Sequence, residues 1–83
     1  MKPKHPGKIF YYEWDPITKE EILTSTELIK NIPESLRFGD TPDGFIPVVK
    51  VVMIPKGQNR EIIEYGPNGQ FLRSTIQYQM KKD

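Results

Sequence analysis

The longest apolar run in the chain is Phe45-Ile46-Pro47-Val48-Val49-Lys50-Val51-Val52-Met53-Ile54, rich in β-branched residues that fit a pleated surface. It predicts a central strand covered on two faces, because a half-exposed strand alternates apolar with polar positions. Lys50 is the exception. Its parity groups it with Ile46, Val48, Val52 and Ile54, and its stem is read as lying on apolar surface with the ammonium at the rim.

The flanking segments show alternation with period two. Lys8 to Trp14 sets Ile9, Tyr11 and Glu13 against Phe10, Tyr12 and Trp14, which predicts a strand with one fully aromatic face. A domain this small can rarely spare three aromatic rings, so Phe10, Tyr12 and Trp14 are assigned to the core. The alternative use of the same rings is an exposed platform for a partner's apolar anchor or for nucleic-acid bases. Asp15-Pro16-Ile17-Thr18-Lys19 is a turn, with Pro presetting φ and Asp15 able to accept from backbone two residues on, and Glu20 to Thr24 returns as the second arm of a hairpin.

Thr24-Ser25-Thr26-Glu27 has the spacing of a capping box, and Leu28, Ile29 and Ile32 fall on one face of a helix of about two turns. Pro33 ends that helix or starts a second turn through Phe38, with Gly39 placed to follow it. Gly39 to Gly44 reads as a loop. Its Asp40 and Asp43 are too few to make a calcium site, which takes about six oxygens. Pro55 to Asn59 forms the next turn, Arg60 to Tyr65 a strand, and Gly66-Pro67-Asn68-Gly69 the clearest hairpin signal of the chain. Gln70 to Met80 completes a meander. Strict alternation sets Leu72, Ser74, Ile76, Tyr78 and Met80 against Phe71, Arg73, Thr75, Gln77 and Gln79, leaving Phe71 on the wet face.

Together these elements predict an α+β fold. A small twisted antiparallel sheet of four to five strands, ending in a three-stranded meander, carries one short helical region near residues 25–38 packed on one face. Residues 8–80 form the single domain, with flexible basic tails at 1–7 and 81–83. Tyr12 to Glu20 resembles the Asp-Pro-x-Thr-Gly-Glu hairpins common in phage tail-associated proteins, with Lys19 where that pattern has Gly. The resemblance spans nine residues and implies a hairpin and, at most, a small phage-type or bacterial accessory protein.

Composition narrows the function more than it identifies it. With 83 residues and 36% hydrophobic content the core is small, and nine aromatic residues make it large enough to fold. The absence of cysteine excludes a disulfide scaffold and a thiolate site. The net charge of +1 hides a basic start, an acidic middle of six Lys/Arg against ten Asp/Glu over residues 9–64, and a basic end. No signal peptide or transmembrane stretch is visible, so an intracellular, cytoplasmic protein is expected.

Catalytic chemistry has no constellation to stand on. His5, the single histidine, lies among lysines, and nucleophilic catalysis needs a base beside its nucleophile. Neither Glu20 with Glu21 nor Glu61 with Glu64 falls on one face of a strand, and no glycine-rich loop opens a helix. No enzyme activity, cofactor or metal is therefore expected. The expectation is a non-catalytic binding or assembly module that contacts a protein, or itself, through a sheet edge or apolar patch. Its contact candidates are Phe10, Tyr12, Trp14, Phe71 and Gln77. The alternative is a single-stranded nucleic-acid-binding face made of Lys50, Lys56, Arg60, Phe71 and Arg73, which the acidic middle opposes.

Overall fold

The computed structural model describes residues 2–78. Seven strands account for most of them: β1 (Lys8–Asp15), β2 (Glu20–Leu28), β3 (Phe38–Thr41), β4 (Gly44–Pro47), β5 (Lys50–Lys56), β6 (Asn59–Tyr65) and β7 (Phe71–Gln77). Five of these form one sheet in the order β2-β1-β5-β6-β7, and β3 pairs with β4 in a separate hairpin. The β5-β6-β7 meander matches the sequence reading. The sheet is mixed rather than wholly antiparallel, because β5 runs parallel to β1, with Phe10 opposite Lys50 and Tyr12 opposite Val52. The strand predicted to continue to Met80 and the tail at 81–83 lie outside the described residues.

The predicted helical region is the main correction. Thr24 to Leu28 extend β2 along β1, placing Ser25 opposite Tyr11 and Glu27 opposite Ile9. Only single 3-10 turns remain, at Ile29–Asn31 and Glu34–Leu36. Two β-branched threonines in five residues favour the pleat, and a ladder with β1 pairs alternate backbone groups of a segment too short to be stable as a helix on its own. The Thr24 hydroxyl donates to the Tyr11 carbonyl at 3.2 Å instead of capping a helix. The fold is thus mostly β, with no α-helix among the described residues.

The apolar run is also divided. Pro47 has no N–H to continue a ladder, and β4 ends there. Val48 and Val49 then carry the chain from the hairpin into the sheet. The Val48 amide donates to the Arg37 carbonyl at 2.9 Å and the Val49 amide to that of Tyr65 at 3.0 Å. Lys50 to Lys56 therefore occupy the centre of the sheet, as predicted for this run, while Phe45 and Ile46 do not.

Residues 29–49 are the crossover between β2 and β5, and they cover one face of the sheet. Ile32 and Val48 from the crossover meet Ile9 and Val51 from the sheet, and Tyr11, Ile29, Ile62 and Leu72 pack around them. The close approach of the hairpin depends on Gly39, since a Cβ there would stand 3.0 Å from that of Leu72. Residues 2–7 bind to the same cover. His5 Nε2 donates to the Val48 carbonyl at 2.6 Å while its Nδ1 accepts from the Gly7 amide at 2.9 Å, and Lys2 Nζ lies 5.2 Å from the centre of the Phe45 ring.

Candidate functional site: the open face of the sheet

Residues opposite one another in a ladder share a face. On the covered side the register aligns Ile9, Tyr11, Val51, Met53, Ile62, Glu64, Arg73 and Thr75. On the other side it aligns Phe10, Tyr12 and Trp14 of β1 with Leu23 of β2, Val52 and Ile54 of β5, Ile63 and Tyr65 of β6, and Ile76 of β7. The crossover lies on the first side, and no described element is laid over the second. Phe10 (39%), Ile76 (40%), Leu23 (52%) and Phe71 (60%) are exposed there, around a Val52 that is only 2% exposed. Val52 is shielded by neighbours on its own sheet and stands outside the core cluster of the covered side.

The assignment of Phe10, Tyr12 and Trp14 to the core is therefore reversed. Their β1 alternates, Ile9 and Tyr11, face the crossover, and the three rings line the open face, Phe10 exposed and Tyr12 and Trp14 half-buried. Two bulges set the composition of this platform. In β2, Thr24 is the extra residue between Tyr11/Ser25 and Tyr12/Leu23, which turns Leu23 and Glu21 toward the aromatic face. In β7 the register shifts between Glu64/Arg73 and Tyr65/Phe71, so Phe71 stands opposite Tyr65, and Leu72 packs on the core. Strict alternation had put Phe71 with Arg73. Leu23, Ile63, Tyr65 and Ile76 were not among the sequence candidates, and no local residue pattern announces either bulge.

Glu21, Lys50, Lys56 and Glu61 of this face are paired within it. Lys50 forms an ion pair with Glu21, and its ammonium lies 5.0 Å from the centre of the Tyr12 ring and 5.7 Å from that of Tyr65. Instead of reaching a rim, it sits among rings that attract a cation through their negative faces. Glu61 accepts from the Ser74 hydroxyl at 2.7 Å and pairs with Lys56 at 3.1 Å. Those bonds hold its carboxyl below the ordinary glutamate pKa of 4.5, the Ser74 hydrogen bond first and the Lys56 bond second.

The residues proposed for nucleic acid divide between the two sides. Lys50, Lys56 and Phe71 belong to the open face. Arg60 and Arg73 align with the covered face, where Arg60 Nη1 lies 3.7 Å from Met53 Sδ. Arg73 clasps Glu64 with two hydrogen bonds of 2.8 and 3.0 Å. Gln77 is exposed and also aligns with the covered side, opposite Arg60.

The covered face keeps a groove of about 460 Å³ between crossover and sheet, floored by Ile9, Val51 and Ile62, walled by Pro33 and Leu36, and ending at Glu64 and Arg73. Tyr11 lines it, and burial, followed by the charges of Glu27 and Glu64, raises the phenol above its ordinary value of 10.0. Asp40 lies on β3. Asp43 sits in the following turn, where its amide donates to the Thr41 hydroxyl at 3.2 Å. Among the described residues, no three His, Asp or Glu side chains are grouped to hold a metal, and no helix is long and apolar enough to cross a membrane. No family model, curated protein or solved structure matches the chain.

Proposed function

We propose that this protein is a non-catalytic binding module that contacts a protein partner through the open face of its five-stranded sheet. The observation that carries the reading is an uncovered face with apolar side chains on all five strands, from Leu23 through Phe10, Tyr12, Val52 and Ile63 to Ile76 and Phe71. Contiguous apolar patches of this kind are rare on surfaces that meet only water, and aromatic rings clustered near the centre of a patch are typical anchors of protein contacts. The central cation supports a protein partner over a polyanion, since Lys50 and Lys56 already have Glu21 and Glu61. Phosphate binding draws on cations free to replace counterions.

A photo-crosslinking residue placed at Leu23 or Ile76 of the full chain, in cells that make the protein, tests this. A covalent protein adduct from either position, and none from Thr75 on the opposite side, is the expected result. No adduct from the open face would overturn the reading.

A further inference from the structure

We infer that the partner on the open face is a second copy of this chain, packed face to face as a two-fold sandwich; the inference rests on the reading of that face as a protein contact surface. Three observations converge on self-association. The first is surface area. Phe10 (39%), Ile76 (40%), Leu23 (52%) and Phe71 (60%) leave apolar surface exposed on a face that no described element covers.

The second is the fit of size. Five strands about 4.8 Å apart and about seven residues long at about 3.3 Å per residue outline roughly 550 Å². Side chains standing off the sheet enlarge the accessible area beyond that outline, toward the roughly 800 Å² per partner of a standard stable interface. Two sheets stacked about 10 Å apart with aligned strands are the common way to cover such faces, and each copy offers the apolar sheet the other lacks.

The third is charge. In a two-fold contact the same patch meets itself, so unpaired charges near the axis would face their own kind. Here Lys50 is held by Glu21, and Lys56 by Glu61, within each copy. The face therefore approaches its own image without requiring an opposite charge from the partner.

Sedimentation equilibrium of the full chain across a wide concentration range decides the matter. The expected mass is twice 9.7 kDa, halving to 9.7 kDa in the double variant Leu23→Glu/Ile76→Glu with its far-ultraviolet β signal intact. Ile22→Glu, an equally exposed position aligned with the covered side, should keep the double mass. If the double variant loses its β signal, Phe71→Ser replaces it at the most exposed of the open-face positions. A folded variant that keeps the double mass would overturn the face assignment and point to the free edges β2 and β7. A wild-type chain of 9.7 kDa at every concentration overturns the inference outright. In that event a crosslinked adduct of different mass from Leu23 leaves the binding reading standing, and no adduct removes both.

Discussion

The two faces of the central sheet are close to equal in apolar content and opposite in fate. One carries Ile9, Tyr11, Val51 and Ile62 and is covered by residues 29–49. The other carries Phe10, Tyr12, Trp14, Val52, Ile63 and Tyr65 and has no cover among the described residues. The open face is the more aromatic, so side-chain hydrophobicity alone did not select the core. The crossover selected it. β2 ends at Leu28 beside Lys8, and β5 starts at Lys50 beside Phe10, so the connection begins and ends at one end of the sheet, and the side on which it folds back becomes the interior.

The difference should show most strongly in truncations measured at dilutions where the chain sediments as 9.7 kDa. Ile9→Ala, at a position 1% exposed, is expected to cost about 2–5 kcal/mol, comparable to the roughly 3–5 kcal/mol that a core of this size supplies in total. Leu23→Ala on the open face should stay within about 0.5 kcal/mol. Urea titration followed by circular dichroism compares the two. Equal losses would mean that the open face is covered in the monomer, and the contrast between the faces would fall.

A substitution in the hairpin that both faces share serves as a calibration. Lys19 has φ 59° and its amide donates to the Asp15 carbonyl at 2.7 Å, a conformation that glycine takes without strain. Lys19→Gly should raise stability by about 1 kcal/mol, since an L-residue in this region costs roughly 1–2 kcal/mol. The same denaturation measurement reads it. Lys50→Ala then probes the polar centre of the open face. Loss of the contact with Tyr12 and Tyr65 and of the pair with Glu21 should cost about 0.5–1 kcal/mol.

The smallest effects separate the faces by pH. Glu61, on the open face, has a lowered pKa, so its stabilising contribution is complete above the unfolded value near 4.5 and disappears as pH falls through the folded value below it. Tyr11, on the covered face, has a raised pKa, so its contribution is complete below 10.0 and is lost as pH rises through the folded value. Glu61→Gln should flatten only the acid limb of a plot of thermal midpoint against pH, and Tyr11→Phe only the alkaline limb. An acid limb unchanged by Glu61→Gln would break the bonding of Glu61 to Ser74 and Lys56, and an alkaline limb unchanged by Tyr11→Phe would break the burial of Tyr11.

Much of the local structure was legible in the residues. The Asp15-Pro16 turn forms as read, with Asp15 Oδ1 accepting from the Ile17 amide at 2.9 Å. The Gly66 to Gly69 turn closes with the Gly69 amide on the Gly66 carbonyl at 3.0 Å. Alternation located β1, β6 and β7 to within one to three residues at the ends that are described. The helix near 25–38 was misread because capping-box spacing and a short apolar triplet are local signals, and pairing with β1 outweighs them. The open face was misread for a related reason. Alternation shows that Phe10, Tyr12 and Trp14 share a side, but two bulges and the path of the crossover decide what joins them and what covers them.

The sequence by itself determined the turns, the strand-forming segments and the grouping of side chains within each strand, because these depend on backbone dihedral preferences and on the two-residue period of the pleat. Only the tertiary structure decided that Pro47 divides the long run, that Ile9 rather than Phe10 lies inside, and that Lys50 is set among tyrosines. Those outcomes depend on which strand pairs with which and on the side taken by the connection between β2 and β5. Contacts between residues far apart in the chain set both, and no local pattern of residues encodes them.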